Sequence, residues 1–195
     1  MASLERTAYP QFLSYYSPSD LRQFFTLQDE EINWLKSAGR SAGTRLGLAV
    51  LLKVFQHLRY FPSLDKIPSE VITHVRNGLG FGDAIRIEYP VERTLFRHKA
   101  MVLGLLNVKP FHGHDAMRQA ERFACDAAEL MDQRADIING IIEGVLQARY
   151  ELPAFSTLDD LAGKAHAAVQ NRVFGKVFHR ITPQQLEALQ ALLVT

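Results

Sequence analysis

The spacing of apolar residues predicts helices along most of the first hundred residues. Three helices are expected there, at 43–59, 68–79 and 91–106. The first is apolar on most of its surface, and only Arg45, Lys53 and Gln56 form a narrow polar strip. A helix with this pattern belongs at the centre of a core. Before the third helix, the alternation of IRIEY (85–89) leaves a short strand or hairpin open.

The second half of the chain repeats this plan. Three further helices are expected, at 115–131, 136–149 and 157–178. The first of them carries a stripe with a 3.6-residue period, formed by the apolar residues at 116, 120, 123, 127, 130 and 131. Thr182, Pro183 and Gln185 form a capping box, which predicts one more helix.

The N-terminal region predicts two short helices ahead of this pattern. Ser17, Pro18 and Asp20 combine an N-cap, a proline at the first helical position and an acid in the first turn. Thr26 begins the next helix, and Gly39 ends it.

Two stretches of the sequence match at an offset of 63 residues. The matching residues are Glu88, Pro90, Thr94 and Leu95 in the first half, and Glu151, Pro153, Thr157 and Leu158 in the second. In both, an amphipathic helix ends, a proline-containing turn follows and a hydroxyl-capped helix begins. Two helices precede each match, so the third helix of each half takes the place of the recognition helix in a helix-turn-helix protein.

The predicted fold is therefore all-α, with two tandem trihelical units that resemble helix-turn-helix domains. A short N-terminal helical arm precedes them. The expected division is an arm at 1–40, a first unit at 41–108, a linker at 109–114 and a second unit at 115–195 that includes the start of a following helix.

Charge is distributed unevenly, although the net charge is only +1. Residues 32–122 hold fourteen lysines and arginines against seven acidic residues, whereas residues 123–160 hold two against eight. Two stretches, 32–64 and 161–186, contain no acidic residue. This segregation suits a surface that faces phosphate, although two solvated helix faces would give the same pattern.

The sequence gives no support to several classes of function. The single cysteine excludes an internal disulfide and fits a cytoplasmic setting. No apolar run approaches the roughly 20 residues that span a membrane, and no signal peptide is recognisable. His112 and His114 have only Asp115 nearby, which favours a linker over a metal site. No catalytic set of side chains, metal or cofactor is expected.

The first turn of each third helix carries candidate base-reading residues. The first helix offers Arg93, Thr94, Arg97 and His98. Arg93 and Arg97 are four residues apart and share one face, and arginine is the side chain that pairs with guanine O6 and N7. The N–H groups of the same turn can hold a phosphate.

The second helix offers Ser156 and Thr157, but Asp159 and Asp160 follow. These acids favour the helix dipole and would repel phosphate, or they could accept from cytosine N4. Residues further along the helix are expected to contact the DNA backbone: Lys164, Arg172 and Lys176.

Several segments resemble one protein family. They are LERTAYPQF, SAGTRLGLAVLLKVFQHLRYFP, ERTLFRHKAMV, and STLDDLAGKA followed by ITPQQLEALQALL. Together they resemble the N-terminal region of replicative transposases of the Tn-three family, over essentially the whole chain. The resemblance implies sequence-specific binding to the terminal inverted repeats of a transposon, as the DNA-binding part of a transposase in DNA transposition.

The resemblance also implies roles for particular residues. The base readers are expected to be Arg93, Thr94, Arg97 and His98, which stand in the matching TLFRH segment. The candidate backbone contacts near the central helix and after the TLFRH segment are Arg40, Ser41, Thr44, Arg45 and Lys99. The family's RNase-H-like catalytic domain lies far downstream, and nothing in this chain corresponds to its acidic triad.

The expected partners are double-stranded DNA of the transposon end, the rest of the transposase chain and a second transposase subunit. No membrane partner is expected. The acidic stretch 123–160 and the abrupt C-terminus leave an alternative open, namely a helical protein-interaction module within a larger assembly.

Overall fold

The computed structural model describes residues 4–38, 41–178 and 182–192. Within these residues all regular structure is helical, and the predicted all-α class is confirmed. The helices are α1 (Pro18–Phe25), α2 (Asp29–Ala38), α3 (Ala42–Leu58), α4 (Ser69–Gly78), α5 (Glu92–Leu105), α6 (Gly113–Leu130), α7 (Arg134–Gln147), α8 (Phe155–Phe178) and α9 (Pro183–Leu192). Short 3₁₀ turns form at Leu4–Arg6 and Leu64–Lys66. No described helix is long and apolar enough to cross a membrane.

Reciprocal capping hydrogen bonds begin α1 and α3. Ser17 Oγ accepts from the backbone N–H of Asp20 at 3.2 Å, and the Asp20 carboxylate accepts from the N–H of Ser17 at 2.9 Å. Ser41 and Thr44 make the same exchange at the start of α3, at 3.2 Å each way. Each pair satisfies two N–H groups that a helix start would otherwise leave without a partner.

The first core is built around α3, which packs against α1, α2, α4 and α5. Two residues of its polar strip, Lys53 and Gln56, contact α2 through Glu31. Lys53 Nζ lies 3.2 Å from Glu31 Oε2, and Gln56 Nε2 donates to Glu31 Oε1 at 2.6 Å. These polar contacts therefore help to fix α2 against the central helix.

The segment 85–89 is extended but pairs with no strand in the described part of the chain. Its alternation is retained, since Ile85, Ile87 and Tyr89 pack against the first core while the residues between them are exposed. The segment crosses α3 where two glycines lie four residues apart. A Cβ added at Gly43 would lie 2.8 Å from the Arg86 carbonyl oxygen, and one at Gly47 would lie 2.7 Å from the Tyr89 ring.

The second core is a three-helix bundle in which α6, α7 and α8 all pack against one another. Two glycines of α7 bring it close to α6. A Cβ added at Gly140 would lie 2.8 Å from Ala127 Cβ, and one at Gly144 would lie 2.5 Å from the Phe123 ring. These short distances explain why α7 carries glycine on the face that contacts α6.

The N-terminal arm does not form one unit, because its two parts join different cores. The backbone N–H of Ala8 donates to Asn139 Oδ1 of α7 at 2.7 Å. The Tyr9 ring stacks on Tyr60 at 5.1 Å, and its hydroxyl donates to the Pro153 carbonyl oxygen at 3.1 Å. Tyr9 thus belongs to the second core, whereas α1 and α2 complete the first.

The stretch predicted as a linker, 109–114, is held by hydrogen bonds. Lys109 and Tyr150 form an isolated parallel bridge, in which the Lys109 N–H donates to the Arg149 carbonyl at 2.7 Å and the Glu151 N–H donates to the Lys109 carbonyl at 2.8 Å. The Leu152 N–H donates to the Arg59 carbonyl at 2.9 Å. Helix α6 already begins at Gly113. The backbone of the two halves is therefore joined directly.

Candidate nucleic-acid interface

The N-terminal end of α5 presents two arginines to solvent. Arg93 and Arg97 are both exposed and lie one turn apart. Among the described residues, neither guanidinium has a hydrogen-bond or ion-pair partner. The N-cap residue, Val91, provides no side-chain hydrogen bond to the first turn. Two guanidinium groups and uncapped N–H groups at one helix end form an arrangement that can bind phosphate or base edges.

The predicted hydroxyl caps of α5 and α8 are wrong. Thr94 and Thr157 are each the third residue of their helix, so neither precedes the first turn. Both threonines are half-buried. The register of the two matching stretches is nevertheless the same, because Pro90 and Pro153 each stand two residues before the first helical residue.

His98 does not lie on the surface, which contradicts its assignment as a base reader. Its side chain is 1% exposed, and Nδ1 lies 2.9 Å from the Tyr89 hydroxyl. Burial lowers the pKa of His98, and the charge of Arg97 lowers it further. An enclosed imidazole cannot reach a base, so His98 joins α5 to the extended segment instead. Its spacing from Leu95 and Val102 places it on the apolar stripe of the helix, and this signal could have predicted its burial.

At the start of α8, Ser156 is exposed, but one of the two acids that follow, Asp159, is not at the surface. Asp159 is only 4% exposed. Arg134 Nε lies 2.8 Å from Asp159 Oδ1, and Arg134 Nη2 donates to the Asp159 carbonyl oxygen at 2.7 Å. Asp159 is therefore neutralised inside the bundle and unavailable to cytosine, while Asp160 remains exposed.

The predicted backbone contacts near α3 and α5 have mixed environments. Ser41 and Thr44 cap each other, and Arg45 is half-buried. Lys99 is also half-buried, with Nζ 5.5 Å from the centre of the Phe61 ring. Arg40 lies outside the described residues.

The basic residues of α8 lie on its exposed side. Lys164 and Lys176 are exposed. Arg172 Nη2 lies 2.7 Å from Glu129 Oε1 on α6, and both side chains remain about half exposed at 52%. A phosphate would have to compete with Glu129 for Arg172 but would not meet this competition at the two lysines.

Three basic residues that the sequence analysis did not single out lie at the junction of the two halves: Arg59, Lys109 and Arg149. Two of them occur in the same dipeptide, Arg-Tyr, at 59–60 directly after α3 and at 149–150 with one residue between it and the end of α7. This repeated dipeptide is the sequence signal that could have identified Arg59 and Arg149. In the described part of the chain, no group of three or more His, Cys, Asp or Glu side chains could hold a metal ion.

Comparison with known families and proteins adds a relationship to this geometry. The profile of a family described as "Domain of unknown function (DUF4158)" matches residues 1–165. The chain belongs to the DUF4158 family. The matched region includes both cores and the N-terminal turns of α5 and α8.

A relative of this DUF4158 chain is described as "Transposase for transposon Tn1546", from Enterococcus faecium. The two sequences are 22% identical over 177 residues, which cover 90% of this chain. The chain spans 18% of the length of that transposase. The similarity therefore concerns one part of a much longer protein.

Proposed function

We propose that the chain binds double-stranded DNA at the terminal inverted repeats of a transposon, as the N-terminal DNA-binding part of a transposase acting in DNA transposition. The observation that carries this proposal is the pair of exposed arginines at the uncapped end of α5. The similarity to a transposase over 90% of the chain also supports this proposal.

The end of α5 has the properties that base reading requires. The backbone N–H groups of the first turn give that end a partial positive charge. Arg93 and Arg97 add two formal charges with no described acidic partner to neutralise them. The Tyr89–His98 contact and the seating of 85–89 on α3 hold the helix in place. A fixed helix with arginines at its N-terminal end suits insertion into a major groove.

The second unit would make contacts of another kind. Its exposed Ser156, Lys164 and Lys176 can donate to phosphates, whereas its first turn has no exposed arginine. If both units engage one duplex, they cover about two helical turns, with half-site centres about 34–36 Å apart. In this proposal the first unit reads sequence and the second mainly holds the backbone.

Electrophoretic retention of an inverted-repeat duplex against a scrambled duplex of equal length and composition tests this function. The repeat is expected to bind more tightly, and both affinities should fall steeply with salt because counterions are released. Equal affinity for the two duplexes would overturn the sequence specificity. Metal-dependent nuclease activity of this chain alone would contradict the assignment of a non-catalytic part.

A second candidate is a helical protein-interaction module, and an exposed apolar surface favours it. Leu130 at the end of α6 is 85% exposed, and Phe174 of α8 is 65% exposed beside Val173. The natural partners in this case are the rest of the transposase chain and a second subunit. Co-purification with one of these, abolished by Phe174→Glu, together with no salt-dependent DNA retention, would favour this candidate over DNA binding.

A further inference from the structure

A cleft of about 260 Å³ lies where the C-terminal ends of α3, α5 and α7 meet. Arg59 and Arg149 line it from opposite halves of the chain, and its walls include Tyr150, Leu106 and Leu146. No acidic residue lines it. Neither arginine belongs to the surface proposed above for base reading, so the cleft is a separate feature of the molecule.

Both arginines stand in a backbone conformation that does not favour them. Arg59 has φ of 63° and Arg149 has φ of 59°. Glycine adopts this left-handed region without strain, and it is the usual residue after a helix. The helix ends alone therefore give no reason for arginine at either position.

Helix capping does not account for the two side chains. A cation near a helix C-terminus can stabilise the last carbonyls, but backbone groups already satisfy carbonyls there. The Arg59 N–H donates to the Phe55 carbonyl at 2.8 Å, and the Tyr150 N–H donates to the Val145 carbonyl at 3.0 Å. Throughout the described residues, neither guanidinium hydrogen-bonds a carbonyl or pairs with an acid.

The nearest acid in sequence, Glu151, does not neutralise the cleft. Glu151 instead lines the two neighbouring grooves. Burial raises the pKa of Glu151, and the nearby backbone N–H groups of Phe111 and Phe61 and the charge of Lys99 oppose the rise. The two guanidinium charges thus face the cleft with no described acid among its lining residues.

The junction also holds the backbone at both arginines. The Arg59 carbonyl accepts from Leu152, and the Arg149 carbonyl accepts from Lys109. Lys109 adds a third cation, with its Nζ 5.1 Å from the centre of the Tyr150 ring. A cleft lined by two forked donors and no acid has the chemistry to bind a phosphate oxyanion.

We propose that this cleft binds one phosphodiester of the DNA backbone at the boundary between the two units. The proposal rests on the DNA binding proposed above. Helix α5 is 14 residues long and so about 21 Å in length, which separates the cleft from Arg93 by roughly one DNA diameter. In homeodomains the C-terminal end of the recognition helix likewise contacts the backbone.

The test compares two double variants with equal loss of charge. Arg59→Asn with Arg149→Asn removes both guanidinium groups while asparagine tolerates the left-handed backbone. Arg118→Gln with Arg122→Gln removes two exposed charges from α6 and serves as the control. Thermal unfolding of all proteins checks that the fold is retained.

We expect the cleft variant to bind DNA about tenfold more weakly, as loss of charged hydrogen bonds implies. The slope of log affinity against log salt should fall by about one. The loss should be the same for repeat and scrambled duplexes, because a phosphate contact carries no sequence information. The control should keep the wild-type slope, and Arg59→Lys with Arg149→Lys should recover part of the affinity.

Two results would overturn the cleft, and they differ from the failure of DNA binding itself. If the wild type prefers the repeat but the cleft variant keeps its affinity and slope, the cleft proposal is wrong and the function stands. If the wild type shows no salt-dependent DNA binding, DNA is not the ligand that supplies a phosphate to the cleft. A titration with inorganic phosphate, monitored through the Nε–H NMR signals of the two arginines, then decides whether the cleft binds phosphate at all. Unchanged signals would overturn the cleft proposal entirely.

Discussion

The two halves of the molecule use the same small-residue spacing to build different structures. In each, a central helix carries two glycines four residues apart: Gly43 and Gly47 in α3, and Gly140 and Gly144 in α7. The first pair seats an extended segment, whereas the second pair seats another helix. Equal spacing of glycines therefore indicates a close approach of backbone without specifying which element approaches.

The connection that leads into the third helix also differs between the two halves. Thirteen residues, 79–91, separate α4 from α5, whereas seven, 148–154, make the corresponding connection from α7 to α8. The second half has the short turn and mutual packing expected of a compact trihelical unit. The exposed arginines, however, lie in the first half, on α5. The half whose connections are closest to a helix-turn-helix is thus not the half with the exposed arginine pair that we propose for base reading.

The prediction with the largest expected effect tests whether the two cores unfold together. Ile138 is fully buried in the second core, and Ile138→Ala should lower the free energy of unfolding by about 2–5 kcal/mol. Trp34, on α2, is the only tryptophan and reports on the first core. Because the junction joins the halves by hydrogen bonds, we expect Trp34 fluorescence and helical circular dichroism to shift together in urea.

The matched variant in the first core is Leu51→Ala, which should shift both signals in the same manner. In Ile138→Ala, the Trp34 transition could instead stay at its wild-type midpoint while the circular dichroism curve becomes biphasic. That result would contradict cooperative unfolding of the two cores. The two halves would then be separate folding units.

The second prediction concerns the division of work on DNA. Arg97→Ala should cost about 1–3 kcal/mol in binding to the inverted repeat and should relax the preference at one base position. Ser156→Ala, on the equivalent turn of α8, should cost less and leave the preference intact. Affinity profiles over single-base variants of the repeat measure both effects. A larger loss of specificity from Ser156→Ala would reverse the roles of the two halves.

Local patterns predicted the helices well because caps and apolar periods act within a few residues. Ser17 with Asp20 is an example, since the whole capping exchange is contained in one turn. The 3.6-residue stripe of 116–131 likewise predicted α6 to within three residues at each end. These features depend on neighbours that are visible in the sequence.

The parts that were not predicted depend on residues far apart in sequence. Tyr9 reaches Pro153, and Asp159 is covered by Arg134, so neither environment follows from adjacent residues. The local sequence identifies Asp159 only as a first-turn acid, because its ion-pair partner, Arg134, lies on another helix. The junction arginines were missed for the same reason, since Arg59 and Arg149 meet only through the packing of the two halves.

The third prediction tests the attachment of the N-terminal segment to the second core. Tyr9→Phe removes the hydrogen bond to the Pro153 carbonyl but keeps the ring that stacks on Tyr60. It should lower the free energy of unfolding by about 0.5–1.5 kcal/mol, the net value of one such bond. Tyr15→Phe is the control, because that side chain is 71% exposed. An equal loss in both variants would show that the Pro153 bond contributes nothing.

The smallest expected effect is a difference in acid sensitivity between the halves. Burial lowers the pKa of three histidines, His57, His74 and His98, and all three lie in the first half. Their unfolded forms take up protons below a pH of about 6.5, while the folded forms resist protonation. The stability that these groups contribute is therefore complete above that pH and is lost as pH falls toward the folded pKa values.

Urea unfolding of the whole chain, followed by Trp34 fluorescence between pH 7.5 and pH 5.5, measures the loss of stability that these three histidines cause. His98→Gln keeps a side chain that can hydrogen-bond Tyr89 but removes one titrating group, so its stability should vary less with pH than that of the wild type. We expect a smaller slope of the unfolding free energy against pH, with the fold retained at pH 7.5. Glu151 at the junction has the opposite sign, because a raised carboxyl pKa makes stability fall as pH rises through its range. If His98→Gln retained the wild-type slope, the acid sensitivity of the first half would have to come from the other two histidines, and the buried Tyr89–His98 contact would not distinguish the halves.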